Sequence, residues 1–409
     1  MRIRTRIVLA AAALLLIAAA PASAERAVSV NGECRFSMSG ASRKEIKALT
    51  DDKYSTYAKV RSKGEILAEG GGQALGSVLL QFYDRPTKTE VWARTGGEWT
   101  FVAERGTYLS DWVALPEGTE AVRIVNTDRS RMFMAELTVF GTGERPVKSP
   151  EWVSGGKCDL MVVACHPDDE LLWFGGLLPT YAGEKGLRVQ VVYAVPSTPV
   201  RRLELLDGLC RCGVKEYPAF MNLPDVYSKH LNAAYKRWGK TKMHRIMTGL
   251  IRQYRPDVIV SHDLNGEYGH GGHQAVADTV RTCVAYAADG SKFPDSARQY
   301  GVWQVSKCYL HLYKDGQVCY DWHRPLAAFD GMDGMAVAIE AMAMHRSQVK
   351  HGWAIEAGGP CDNTLFGLCH TTVGPDERGE DLFEHIAPAE TEDDEELMIE
   401  ETVLSTEAE

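Results

Sequence analysis

Two short clusters in this chain carry the residue types of metal-assisted and acid–base chemistry. The first is Cys165-His166-Pro167-Asp168-Asp169-Glu170, directly after the apolar run Leu160-Met161-Val162-Val163-Ala164. A histidine and adjacent carboxylates stand there at the end of a buried strand, where open α/β sheets hold their ligands. The second, Asn265-Gly266-Glu267-Tyr268-Gly269-His270-Gly271-Gly272-His273, lies about a hundred residues on. A catalytic zinc takes three ligands from His, Asp or Glu and keeps one position open for water. His166 and Asp169 straddle one turn and can face one point, and His273 would complete a His₂Asp set from a loop. Asp168 is left free to take a proton from the water that such an ion activates. His270 is placed to stabilise an oxyanion or to protonate a departing amine. Taken singly, a histidine at a strand end is often structural, and Asp169 could simply cap its helix. The ordered pair of clusters, each following a strand, favours chemistry.

The elements that must position these residues are legible in the hydrophobic pattern. From Cys158 onward, strands alternate with helices: a strand to Ala164, a helix across residues 171–184 and a strand at 188–194. Helices follow at 201–211 and 241–254, then a strand at 257–261 and a helix at 274–288. Repeated βα units of this length imply a parallel sheet with helices on both faces. Residues 307–313 and 317–320, joined through Asp315-Gly316, read as a hairpin. Residues 27–141 hold short alternating runs, among them 77–82, 90–94, 121–125 and 136–140, which suggest a sandwich of antiparallel sheets. The stretch 142–156, with Pro146 and Pro150, reads as a linker.

Residues 1–24 have a basic start, an apolar run and Ala22-Ser23-Ala24, the pattern of a secretory signal cleaved before Glu25. An uncleaved anchor is the alternative, but the apolar run is short for a span of about 20 residues. Export permits disulfides among the ten cysteines, with Cys361/Cys369 and Cys308/Cys319 as candidate pairs. The net charge is −10, but residues 376–409 hold 15 acidic residues and one basic one, leaving about +4 elsewhere. That distribution excludes a basic nucleic-acid footprint. Residues 388–409 read as an acidic, solvated tail.

His166-Pro167-Asp168-Asp169-Glu170 and Tyr268-Gly269-His270-Gly271-Gly272-His273 resemble the PIG-L/LmbE-like deacetylases, which remove acetyl groups from N-acetylglucosamine units. The resemblance spans about residues 157–386, with Arg201-Arg202-Leu203-Glu204, His345-Arg346-Ser347-Gln348 and Asp381-Leu382-Phe383-Glu384 in support. It implies a Rossmann-like α/β domain with His166, Asp169 and His273 on Zn²⁺ or another divalent ion such as Fe²⁺. It further implies Asp168 as general base, His270 assisting the tetrahedral intermediate, Tyr268 polarising the acetyl carbonyl and Arg201 holding the sugar. Two departures stand out: Gly271-Gly272 where many members have Pro-Asp, which implies a freer loop, and Cys165 where many have Ala. The N-terminal part resembles discoidin-like, galactose-binding jelly rolls through Leu49-Thr50-Asp51-Asp52, Ser55-Thr56-Tyr57 and Leu137-Thr138-Val139-Phe140-Gly141. Such domains commonly bind glycans, and some hold a structural Ca²⁺. Trp92, Trp99 and Trp112 are candidates for sugar stacking, though core packing is the favoured reading of each.

The expected organisation is therefore a signal (1–24), a discoidin-like sandwich (25–141), a linker (142–156), a deacetylase domain (157–387) and a tail (388–409). The expected protein is exported, without a membrane span after cleavage, and its partner is an N-acetylated glycan or glycoconjugate rather than nucleic acid. An O-acetyl sugar esterase, or a lectin with a vestigial site, would use the same residues differently. A metallophosphoesterase would want a second metal's ligands, which the sequence lacks. Oligomeric state is not encoded in these features.

Overall fold

In a computed structural model of the chain, residues 25–387 are described, Ala357 excepted. The expected signal at 1–24 and tail at 388–409 lie outside the described residues. No helix among them is long and apolar enough to cross a membrane.

The first part is β structure: β1 (Arg35–Met38), helix α1 (Arg43–Lys47), β2 (Ala58–Val60), β3 (Glu65–Glu69), β4 (Leu75–Phe82), β5 (Thr89–Thr95), β6 (Glu98–Arg105), β7 (Ser110–Thr119), β8 (Ala121–Asn126) and β9 (Met132–Gly141). These strands form an antiparallel five-stranded sheet, β1-β3-β8-β5-β6, and an antiparallel four-stranded sheet, β2-β9-β4-β7. Ile66, Val91 and Ile124 of one sheet and Val78, Val113 and Val139 of the other share one apolar core. Trp92, Trp99 and Trp112 lie outside it, although Trp112 packs on a smaller apolar cluster of Ala27, Leu79 and Phe140. Side chains alternate along a strand, so buried Val91 and Val113 turn their neighbours Trp92 and Trp112 outward. Arg123 lies between Trp92 and Trp99, 5.2 and 4.8 Å from their ring centres, and Arg145 covers Trp112 at 4.7 Å.

The second part is a seven-stranded sheet made of β10 (Leu160–Ala164), β11 (Val189–Tyr193), β12 (Ala219–Phe220), β13 (Val258–Ser261), β14 (Lys307–His311), β15 (Gln317–Cys319) and β16 (Leu365–Thr371). Its order is β12-β11-β10-β13-β14-β16-β15, parallel from β12 to β14. Between the strands run α2 (Asp169–Leu172), α3 (Pro199–Arg211), α4 (Leu231–Trp238), α5 (Lys240–Tyr254), α6 (Gly271–Ala288), α7 (Pro294–Tyr300), α8 (Gly334–Met344) and α9 (Arg346–Val349). Every residue of β10, β11, β13 and β14 is buried, as a sheet covered on both faces requires. The chain moves outward from β10 through β11 to β12, then returns to β13 on the other side. The carboxyl ends of β10 and β13 thus flank a topological switch point, the place where such sheets bind ligands.

Three local expectations change. The helix expected at 171–184 is broken: α2 ends at Leu172, and a π-helical turn occupies Pro179–Glu184. Gly175 takes φ +54°, and a Cβ on Gly176 would stand 2.9 Å from the Gly334 backbone and the Trp322 side chain. The expected hairpin is also absent, because β16 lies between β14 and β15 and pairs with both. Fully buried β14 takes a partner on each edge, while β15, mostly exposed, suits the sheet margin. Gly367 lets the returning chain pass close, since a Cβ there would meet the Tyr313 carbonyl oxygen at 2.1 Å. All ten cysteines are free, so neither candidate disulfide forms. Cys308 instead neighbours Cys369 at the register shift between β14 and β16.

The β sheets dock on α3 and α9. Tyr54 Oη contacts Asp207, Gln81 Nε2 donates to Asp207 Oδ1 at 3.0 Å, and Lys148 Nζ reaches Asp207 Oδ2 at 2.7 Å. Arg346 grips Asp52 with both terminal nitrogens at 2.7 and 2.8 Å.

Candidate active site

The site is built where β10 and β13 end. Past Ala164 the backbone turns through His166, and Asp169 opens α2. The Asp169 carboxylate Oδ2 accepts the His166 backbone N–H at 2.7 Å, which closes the turn and aligns both side chains. From the other strand, α6 begins at Gly271, so His273 sits in its first helical turn rather than on a loop. The glycine pair is packed, not loose. A Cβ on Gly271 would lie 2.5 Å from the His230 carbonyl oxygen, and one on Gly272 would lie 2.8 Å from the His270 ring.

Three atoms converge there. His166 Nδ1 is 3.1 Å from Asp169 Oδ2, and His273 Nε2 is 3.3 Å from the first and 3.4 Å from the second. Ligand atoms about 2.0–2.2 Å from a tetrahedral zinc would stand roughly 3.3–3.6 Å apart, so this trio fits one divalent ion with little adjustment. Asp169 Oδ1 accepts the Trp173 indole N–H at 2.8 Å. Burial alone would raise the Asp169 carboxyl, but the His273, His166 and His262 imidazoles outweigh it and hold it well below the usual range.

Cys165 and His262 also lie at ligand spacing to these groups, but their chemistry is committed elsewhere. Burial, reinforced by Asp169 and other carboxylates, pushes the Cys165 thiol far up, so it stays protonated. His262 Nε2 accepts the Cys165 backbone N–H at 2.8 Å, which occupies its lone pair.

Asp168 is buried beside the trio with φ +129°, a conformation that a non-glycine residue adopts only under constraint. Its N–H donates to Glu170 Oε2 at 2.9 Å, and its Oδ1 lies 3.0 Å from Arg201 Nη2. The same guanidinium nitrogen donates to the Pro167 carbonyl at 2.6 Å. Burial pushes the Asp168 carboxyl well above the usual range; Arg201 opposes this, while Asp169 and Glu170 reinforce it. His270 is pushed down to about 3 by burial and by the neighbouring His273 and His166, so its ring is neutral at ordinary pH. Tyr268, at φ +45°, stands half exposed at the rim.

All seven residues singled out in the sequence (His166, Asp168, Asp169, Arg201, Tyr268, His270 and His273) therefore belong to one locality, and all but His273 line a cleft of about 200 Å³. Leu172, Trp173, Asp225, Tyr227, Gln348 and Trp353 complete its wall. Trp353 and Asp225 gave no sequence signal, because distant segments supply them. Glu204 bonds the Ser347 backbone N–H and hydroxyl. His345 is buried with its Nε2 3.7 Å from Glu170 Oε1 and does not reach the cleft.

Residues 161–284 match the profile of one family, described as PIG-L: GlcNAc-PI de-N-acetylase. This segment is similar to that family's domain. One protein similar to this chain is a 1D-myo-inositol 2-acetamido-2-deoxy-alpha-D-glucopyranoside deacetylase of Rhodococcus jostii, 27% identical over 178 residues. That alignment covers 37% of this chain and 60% of the Rhodococcus protein, so the match spans less than two thirds of the relative. A protein of the same description from Frankia alni is 27% identical over 242 residues, covering 45% of this chain and 82% of its own. Among solved structures, the N,N'-diacetylchitobiose deacetylase of Pyrococcus horikoshii aligns at 18% identity and a TM-score of 0.35. It covers 46% of this chain and 70% of its own.

Proposed function

We propose that the protein is a divalent-metal-dependent hydrolase that removes the acetyl group from N-acetylglucosamine units of glycans or glycoconjugates, releasing acetate. The observation that carries this reading is the convergence of His166 Nδ1, Asp169 Oδ2 and His273 Nε2 beside the uncommitted face of Asp168. The deacetylase names of the relatives support the same chemistry.

In this reading His166, Asp169 and His273 hold the ion. When bound, a divalent ion acidifies water and polarises an acyl oxygen. Asp168 takes the proton from the attacking water, with Arg201 fixing the orientation of its carboxylate. His270, being neutral, donates an N–H to the developing oxyanion rather than arriving as a charged acid. The proton held on Asp168 can then pass to the departing amine. Tyr268, at the rim, offers its hydroxyl to the acetyl carbonyl.

The zinc or iron identity of the ion, and a structural Ca²⁺ in the N-terminal sheets, rest on resemblance alone. So does a glycan-binding, discoidin-like role for those sheets. An exported location rests on residues 1–24 as sequence.

The test is acetate release from N-acetylglucosamine oligomers and glycoconjugates by the metal-loaded full chain. Asp168→Asn should lower kcat by about 10²–10⁴-fold while keeping metal affinity. No release from any acetamide by a metal-loaded protein would sink the reading; release from O-acetyl sugars alone would replace it with an esterase.

A further inference from the structure

Behind the cleft, one carboxylate that the sequence left without a role collects four hydrogen bonds. Glu267 Oε2 faces His262 Nδ1 at 2.8 Å and His273 Nδ1 at 2.7 Å. Its Oε1 faces His311 Nδ1 at 2.7 Å and accepts the Asp263 backbone N–H at 3.1 Å. Glu267, His262, His273 and His311 are all buried. An ionised carboxylate accepts about four hydrogen bonds, so Glu267 is saturated.

This arrangement has a consequence at each imidazole. With Nδ1–H turned to Glu267, each ring's other nitrogen is assigned to a second task. His273 Nε2 is left as a lone pair, aimed at His166 Nδ1 and Asp169 Oδ2. His262 Nε2 accepts the backbone N–H of Cys165, the residue that precedes His166. His311 Nε2 stands 3.0 Å from the Asp362 carbonyl, an acceptor, so this ring ties the loop before β16 to the same carboxylate only when both of its nitrogens carry a proton.

We propose that Glu267 is the positioning residue of the site, fixing the ring tautomer of His273 and, through His262, the strand end that carries His166. One side chain thereby aligns both arms of the trio, from β10 and from α6. The proposal rests on the reading of that trio as a metal site.

A glutamine at 267 would offer one acceptor oxygen and a competing NH₂, so at least one imidazole would have to turn over. The experiment is Zn²⁺ affinity of the full chain by chelator competition, with and without Glu267→Gln, together with histidine ring ¹⁵N spectra. The expected result is a roughly 10–100-fold weaker Zn²⁺ affinity, and a His273 ring that is protonated at Nδ1 in the wild type only. Unchanged affinity in Glu267→Gln, or a wild-type His273 protonated at Nε2, overturns the proposal. Wild-type protein that binds no divalent ion overturns the metal reading beneath it, which is a separate result. Should Glu267→Gln not fold, His262→Gln carries the test. About tenfold weakening, from a residue outside the trio, supports the relay through Cys165, and unchanged affinity overturns it.

Discussion

At Asp169 both oxygens are engaged: Oδ2 points at the two histidines and Oδ1 takes the Trp173 indole N–H at 2.8 Å. That indole bond fixes the carboxylate's rotation, as hydrogen bonds behind metal ligands generally do. Trp173→Phe keeps an aromatic ring and removes only the donor. It should weaken divalent-metal affinity by about tenfold, read by chelator competition, and an unchanged constant would show the bond to be incidental. Arg201 works on the neighbouring carboxylate. Arg201→Lys cannot keep both the Asp168 and Pro167 contacts with one planar group. It should lower kcat while leaving metal affinity near wild type, in steady-state kinetics beside the same titration. The chemistry-bearing types were readable at this scale because cluster and strand-end position coincide. Glu267 was not, because its role depends on burial and on how the chain folds back: His262 and His273, five and six residues away, turn their rings onto it, and His311 joins from 44 residues on.

At the scale of elements, the start of α6 sets the reach of His273. Gly271 is required by the His230 carbonyl, which a Cβ would meet at 2.5 Å. Gly271→Ala should cost about 1–3 kcal/mol of stability and weaken metal binding with it, measured by denaturant unfolding and by titration. In the sandwich, Glu136 on β9 is buried near Asp51 and Asp52, and burial, aided by those charges, pushes its carboxyl up to about 7. Its folded pKa lies above the unfolded value of about 4.3. The native state therefore holds the extra proton, and this contribution is full below that value and lost as pH rises through about 7. Unfolding midpoints should fall between about pH 5 and pH 8, and Glu136→Gln should flatten the trend. A pH profile identical in the variant would count against it.

At the scale of the molecule, the β sheets and the α/β part are joined by a buried polar knot. Asp207, on α3, receives Gln81, Lys148 and Tyr54. Lys148 belongs to the stretch read as a linker, and Trp152 of that stretch is buried against Tyr217, 5.7 Å between ring centres. Removing one partner of a buried pair strands the other charge. Asp207→Ala should cost about 3–5 kcal/mol. Asp52→Ala, which breaks the exposed pair with Arg346, should cost under about 1 kcal/mol. Chemical denaturation of the two variants checks the order, and equal losses would contradict the knot.

The sequence by itself determined what is local. Strand periodicity placed β4, β5, β8, β9, β10 and β13, and the motif residues followed from their position after β10 and β13. Tertiary structure decided what depends on neighbours far along the chain. The insertion of β16 between β14 and β15, the break after Leu172 and the outward tryptophans all follow from packing that no short window contains. The same holds for Glu267: a carboxylate becomes an organising group only when buried donors surround it, and burial is a property of the folded chain.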